Sequence, residues 1–292
     1  MSDVIISLDF ELGWGVLQES LWLARERKGV YERLRYEFQT MLDYSSKWEI
    51  PMTIGCVGAM LQDRDRWELE HLPLDYRTAI EHFADRARST TVHGRDLFEM
   101  ILDCPAKHEI SSHTYTHLHK NHESASAEVL KEEILRADSV LRHLGGNGES
   151  LIFPRDQVFE KESLIASGTK SVRVPPKING RSRLDKLFYV PPAVKEKSEW
   201  GGVELSGSMF LNWSTGWKSK FKKFVVKRKV GKYINSGMSD DYHFWIHPFN
   251  LSEVSGFSEY FIDFMGQLAS LRDSGVIDVV TMKEKMGAAN FS

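Results

Sequence analysis

The sequence predicts an α/β protein whose strands roll into a distorted β/α barrel of about seven strands. Three observations carry that expectation. Short β-branched runs alternate with segments of helical apolar spacing along most of the chain, the order that gives a mainly parallel sheet. Residues with chemistry to offer stand just after strand-like runs: Asp9 and Glu11 after the first, His113 and His117 after another, Arg155 after a third and His247 after a late one. That is the end at which the loops of a β/α barrel converge. Finally, 292 residues suit one barrel, since such domains run to about 250 residues and beyond, so residues 1–292 are read as a single domain.

The elements follow in order. Val4 to Leu8 is a short buried strand, and Val30 to Trp48 a helix with Tyr31, Leu34, Phe38, Met41 and Leu42 at helical spacing. Thr53 to Val57 is the next strand, Leu97 to Leu102 a short helix, and His108 to Ser111 a third strand. A long amphipathic helix from Ser124 to Leu144 stops at Gly145-Gly146-Asn147-Gly148, a run without the strand-to-helix setting of a phosphate loop. Ser150 to Phe153 is a strand, a short helix follows Phe159, and Ser171 to Val174 is a strand. From Pro175 to Gly202 the composition turns polar and Pro-containing, which reads as an excursion or a lid. Strand Tyr242 to Ile246, helix Ser255 to Leu271 and strand Val276 to Thr281 complete the series.

Composition excludes several classes. Hydrophobic content of 41% with 8 Trp, 16 Phe and 9 Tyr supplies a packed core rather than a disordered chain. A formal charge of -3 gives no general pull toward nucleic acid. The first residues lack the basic and long apolar regions of a secretory signal, and no apolar run is long enough to cross a bilayer. Cys56 and Cys104 alone imply no disulfide framework. Reduced thiols in a cytoplasm are expected, with the sequons at Asn212 and Asn250 unglycosylated. One segment departs from this even background: Lys218, Lys220, Lys222, Lys223, Lys227, Arg228, Lys229 and Lys232 interleave with Trp217, Phe221, Phe224 and Val225. Two readings stand: an outer barrel helix with solvated lysines, or a helix from Lys218 to Lys232 lying on the inner face of an anionic membrane. Oligomeric state is not legible.

The chemistry rests on Ser7-Leu8-Asp9-Phe10-Glu11 and His113-Thr114-Tyr115-Thr116-His117. Two carboxylates and two imidazoles can hold one divalent metal by two histidines and one acid, and leave the second acid free as a base, the needs of metal-assisted hydrolysis. The same ligand set serves iron oxygenases, but those sit on antiparallel barrels. His108, His119 and His122 read as surface or core histidines, and Trp14 and Trp245 as core packing or as sugar-stacking platforms.

The segment His108-Glu109-Ile110-Ser111-Ser112-His113-Thr114-Tyr115-Thr116-His117 resembles the second motif of the polysaccharide deacetylases, the NodB-homology family. Asp9-Phe10-Glu11 stands where that family places an Asp-Asp or Asp-x-Asp pair. Ser7 to Glu11 with Trp14-Gly15, Phe153-Pro154-Arg155-Asp156-Gln157 and His247-Pro248-Phe249-Asn250 resemble a bacterial subgroup found among surface-polysaccharide synthesis proteins. The likeness runs from residue 4 to about residue 285.

The resemblance implies a role for each residue. Asp9 would be the general base, and Glu11, His113 and His117 the metal ligands, with the two imidazoles on one side of a helical turn. His247 would be the general acid, suited because imidazole titrates near neutral pH. Arg155 would pair with the base and keep it ionised. Zinc is the divalent metal that the ligand types favour. The implied activity is removal of an N-acetyl group from an amino sugar in O-antigen or capsule biosynthesis. The alternatives are hydrolysis of another C–N bond in a small non-sugar amide, and a catalytically silent glycan-binding relative. Two departures from the family pattern bear on the last: Glu11 is a methylene longer than the usual Asp, and Pro154-Arg155-Asp156-Gln157 differs from the usual Arg-x-Pro.

Overall fold

Alternation along the strands separates two cores. In a computed structural model of the chain, which describes all residues except 20, 124, 147–148, 160, 179–188, 214–215, 217–218 and 288–292, strand β1 (Ser2–Phe10) sends Val4, Ile6, Leu8 and Phe10 to one face and Ile5, Ser7 and Asp9 to the other. The first set joins a large apolar core with Leu34, Phe38 and Met41 of helix Val30–Lys47 and with Phe257, Phe261 and Phe264 of helix Phe257–Asp273. Ile5 instead meets Ile152, Val203, Leu205 and Met282 in a second, small cluster.

The other strands repeat the division. In β2 (Thr53–Cys56), β3 (Glu109–Ser112), β4 (Ser150–Ile152) and β5 (Ser171–Val174), the outward Ile54, Ile110, Leu151 and Val172 belong to the large core. Apart from Ile152, their inward neighbours are small or polar, and several bond to one another. Glu109 accepts from Thr53 Oγ1 at 2.8 Å and from Ser150, whose hydroxyl lies 2.8 Å from that of Ser171. Buried groups paired in this way avoid the desolvation cost of an orphan.

Ten strands form the sheet in the order β6-β7-β5-β4-β3-β2-β1-β9-β8, with β10 also on β1. The remaining strands are β6 (Lys195–Lys197), β7 (Val203–Ser206), β8 (Met209–Phe210), β9 (Tyr242–Ile246) and β10 (Ile277–Val280). All pairs are parallel except β6 with β7. The two ends of that order meet through one continuous segment: β7 pairs with β5 and β8 pairs with β9, so residues 203–210 close the ring. At the joint Gly207 N donates to Val174 O at 2.8 Å and Ser208 N to His243 O at 2.7 Å.

The strands expected from sequence are β1 to β5, β9 and β10. The three unforeseen ones, β6 to β8, are two to four residues long, too short for a period-2 pattern to register. β6 falls inside the Pro175–Gly202 excursion, the middle of which lies outside the described residues, as do Asn147, Gly148, Trp217 and Lys218. Both cysteines are free, with Cys56 buried in β2.

The closing joint has no room for a side chain. A Cβ on Gly207 would lie 2.8 Å from Cζ3 of Trp245. Gly207→Ala is therefore expected to destabilise the protein by about 1–3 kcal/mol, the usual cost of overpacking. The check is a lower urea midpoint at unchanged m-value; an unchanged midpoint would mean that the joint is loose.

Candidate metal centre

The histidine pair sits on a bend, not on the helical turn that its spacing suggested. Residues 113–117 carry no helix, and Thr114 and His117 both have φ of 64°. Left-handed backbone costs roughly 1–2 kcal/mol per non-glycine residue, and surrounding contacts hold it. Gly58 N donates to Thr114 O at 3.0 Å and Ala59 N to Tyr115 O at 2.8 Å. Tyr76 Oη donates to Thr116 O at 3.0 Å. Glu133, fully buried on helix Ala127–His143, accepts from both Thr116 N and Thr116 Oγ1 at 2.8 Å, and His71 Nε2 lies 2.9 Å from the same carboxylate. Nothing in the sequence pattern marked Glu133 for this task.

This bend aims both imidazoles at Glu11, just past the end of β1. Glu11 Oε2 lies 2.8 Å from His117 Nε2 and 3.4 Å from His113 Nε2. One ligand atom from each of the three lies within 4.8 Å of the others, and all three residues are buried. His113 Nδ1 is 2.8 Å from Ile152 O. A carbonyl only accepts, so Nδ1 bears the proton and Nε2 of the neutral ring points a lone pair at a carboxylate. Two electron-rich atoms facing each other in a dry site call for a cation between them.

Taken by themselves, the three groups shift one another's titration in different directions. Burial alone would raise the Glu11 pKa, but His247, His117 and His113 hold it well below the ordinary value. For His113, burial works downward and is outweighed by Glu11 and Asp9, which push it up. At His117 burial wins and the pKa falls, leaving a neutral donor. Two neutral-capable imidazoles and an ionised acid match a divalent metal by donor type.

Gly15 makes room for that acid. A Cβ there would lie 2.0 Å from Glu11 Oε1 and 2.4 Å from Oε2. Gly15→Ala is expected to leave the melting temperature of the metal-free protein nearly unchanged while weakening metal binding about 10–100-fold, the range for residues that orient ligands. Competition with a chromogenic chelator measures this, and equal affinities would remove Glu11 from the ligand set. The neighbouring Trp14 is a core residue, its Nε1 donating to Val92 O at 2.8 Å.

Asp9 lies beside the cluster, held by an arginine that sequence reasoning missed. Arg173 of β5 grips it with both arms, NH1 to Oδ1 at 2.5 Å and NH2 to Oδ2 at 2.8 Å. The same guanidinium donates to Asp156 Oδ1 from Nε at 3.1 Å and NH2 at 2.9 Å, and to Ser7 Oγ at 3.2 Å. This corrects the expectation for Arg155, which is exposed at the rim of the pocket with φ of 54°; the cation that pairs with Asp9 is Arg173. Burial would raise the Asp9 pKa, but Arg173, with His113 and His247, holds it below the ordinary value. His243, with Nε2 2.8 Å from Ser7 Oγ, is pushed down to about 3 by burial and by Arg173, so it stays neutral. A signal for Arg173 did exist: a charge interrupts the β-branched run Ser171-Val172-Arg173-Val174, and a buried charge requires a partner.

His247, after β9, faces both acids. Its Nε2 is 3.6 Å from Glu11 Oε1 and 3.9 Å from Asp9 Oδ2. Phe249 stacks on the ring at 5.0 Å and Phe210 meets it edge-on at 5.0 Å, while the guanidinium of Arg25 covers the Phe249 ring at 3.8 Å. Asp9, Glu11, His117, Arg173, Trp245 and His247 line one pocket of about 570 Å³ at the C-terminal ends of the strands.

No protein-family model and no curated protein sequence matches the chain. Among solved structures it is similar to a protein designated a polysaccharide deacetylase from Mycobacterium smegmatis, at TM-score 0.59 and 13% identity over 98% of this chain and 88% of that one. It is also similar to the α-amylase AmyC from Thermotoga maritima, at TM-score 0.59 and 13% identity over 99% and 75% of the two chains. A third likeness is to the 4-α-glucanotransferase from Thermococcus litoralis, at TM-score 0.57 and 15% identity over 99% of this chain but only 40% of that enzyme. The chain thus has the fold of these proteins, a distorted (β/α) barrel with a curled, mainly parallel sheet, and at the usual face of such a fold it carries a buried Glu-His-His cluster.

Proposed function

We propose that this protein is a metal-dependent hydrolase that removes the N-acetyl group of an amino sugar during cytoplasmic synthesis of a surface polysaccharide such as O-antigen or capsule. The observation that carries the reading is the Glu11–His113–His117 cluster at the floor of a pocket that Glu11 and His117 line, with the ionised Asp9 beside it and His247 facing both acids. The deacetylase resemblance of these segments supports the sugar substrate, as does the name of the Mycobacterium smegmatis structure.

Glu11, His113 and His117 would hold the metal, zinc by ligand type. Bound there, it would polarise the amide carbonyl and acidify a water. Asp9 takes the proton of the attacking water, and its two bonds to Arg173 keep it ionised and aimed. Asp156 orients Arg173 in turn. His247 gives a proton to the departing nitrogen, so that acetate and a free amine leave; Phe249 and Phe210 hold its ring in place. Trp245 and Phe210 offer apolar faces to a sugar ring, with Arg155 and Asn212 at the rim as polar contacts.

Acetate release tests the reading. Zinc-loaded protein is expected to free acetate from at least one N-acetylated amino sugar, nucleotide-linked amino sugar or glycan, and to lose that activity on chelation. Turnover confined to small non-sugar amides would move the substrate class. Turnover of nothing, in protein that retains stoichiometric metal, would leave a silent glycan-binding barrel.

A further inference from the structure

The basic segment forms helix Ser219–Asn235, and the catalytic reading leaves it unused. Val225, Val226 and Val230 bury its inward side. The outward side is not an ordinary solvated face. Lys220, Lys227, Arg228 and Lys232 are exposed together with Phe221 and Phe224, which are 59% and 56% exposed and are the only strongly exposed phenylalanines among the described residues. Three residues apart, the two rings share one side of the helix. Exposing an aromatic pair to water costs free energy that a partner surface would recover.

Charge singles out the same helix. Seven of the chain's 38 basic residues fall in it and no acidic one does, so the rest, with 31 basic against 41 acidic residues, carries a formal charge of -10. An anionic plane would attract this helix and repel the remainder, which fixes the orientation of approach. No helix among the described residues is long and apolar enough to cross a membrane, so the pattern suits lying on one.

Topology sets where the helix points. The chain leaves β8 at the pocket, which Phe210 and Asn212 line, and re-enters the sheet at Tyr242, the opposite end of the parallel β9. The Ser219 end, with Phe221 and Phe224, therefore lies on the pocket side of the barrel.

We infer that helix Ser219–Asn235 docks the protein on an anionic membrane surface, its cations against lipid headgroups and Phe221 and Phe224, at its pocket-side end, in the interfacial layer. A nucleic acid would also meet the cations. It offers no continuous apolar layer for the two rings.

Sedimentation of the full chain with lipid vesicles is the test. Binding is expected to equal parts phosphatidylcholine and phosphatidylglycerol at low salt, and not to phosphatidylcholine alone. It should fall steeply at about 1 M salt, where the Debye length is roughly 3 Å. K220Q/K227Q/R228Q is expected to bind about a hundredfold more weakly, from roughly fivefold per lost cation. F221A/F224A should lose about tenfold or more. All these positions are exposed, so far-UV circular dichroism and melting should match the parent. K28Q/K47Q/K131Q, which removes the same charge from other exposed positions, should bind as the parent does. Absence of binding to the anionic vesicles at low salt overturns the inference, whatever else the protein binds. So does equal loss in the control triple variant.

Discussion

Glu11→Ala is expected to abolish stable metal binding and to lower any metal-dependent turnover by about a thousandfold or more, since a bound metal supplies several kcal/mol of charge stabilisation to the transition state. The reason is geometric. Glu11 is the only carboxylate within reach of both His113 Nε2 and His117 Nε2 among the described residues, and the two imidazoles alone make a weak site for a divalent ion. Metal content after dialysis, read by mass spectrometry beside acetate release, measures both effects. Retention of stoichiometric metal by Glu11→Ala would show that the ion sits elsewhere. His113→Ala should behave similarly, and Asp9→Asn should not: it should keep the metal and lose turnover, because Asp9 is bound by Arg173 and lies outside the ligand cluster. That contrast separates ligand from base.

Arg173→Met is expected to cost about 3–5 kcal/mol of stability, the typical result of leaving one member of a buried ion pair without its partner. Arg173 is 1% exposed and its guanidinium serves Asp9, Asp156 and Ser7 together. Arg173→Met/Asp9→Asn should recover much of that loss, because the stranded charge is gone, yet regain no turnover. The pH dependence has a defined sign. In the parent, Asp9 titrates below its ordinary 3.8, so the pair contributes fully above that value and is lost as pH falls through the lower folded value. In Arg173→Met, burial acts unopposed by the guanidinium and raises the Asp9 pKa. The stability gap between variant and parent should therefore be widest at neutral pH and narrow toward acid. Urea unfolding of metal-free protein across this range is the measurement, and a gap that widens in acid would refute the pairing.

Much of this was legible in one dimension. The β-branched runs located β1 to β5, β9 and β10, because a buried parallel strand must be apolar on its outward face, and the position of Asp9, Glu11, His113 and His247 after such runs placed them at one end of a barrel. The helix after β8 was visible through its lysines and phenylalanines. Other features were missed, Arg173 despite the charge that interrupts its β-branched run. Arg155 stood in the motif that resembled a family, and Arg173, hidden inside a strand, took the pairing with Asp9. Spacing suggested a helical turn for His113 and His117, whereas the chain makes left-handed bends at Thr114 and His117, stabilised by Glu133 from a helix Ala127–His143.

The sequence by itself determined which segments become strands and which residue types gather beyond their ends, because period and composition are local properties that burial reads directly. Ring closure through residues 203–210, the grip of Arg173 on Asp9 and the convergence of two imidazoles on Glu11 were decided only by the folded molecule. Each of these joins groups tens to hundreds of residues apart, through backbone pairing or through charge pairing that must offset the desolvation of the groups it buries, and no local pattern brings such partners together.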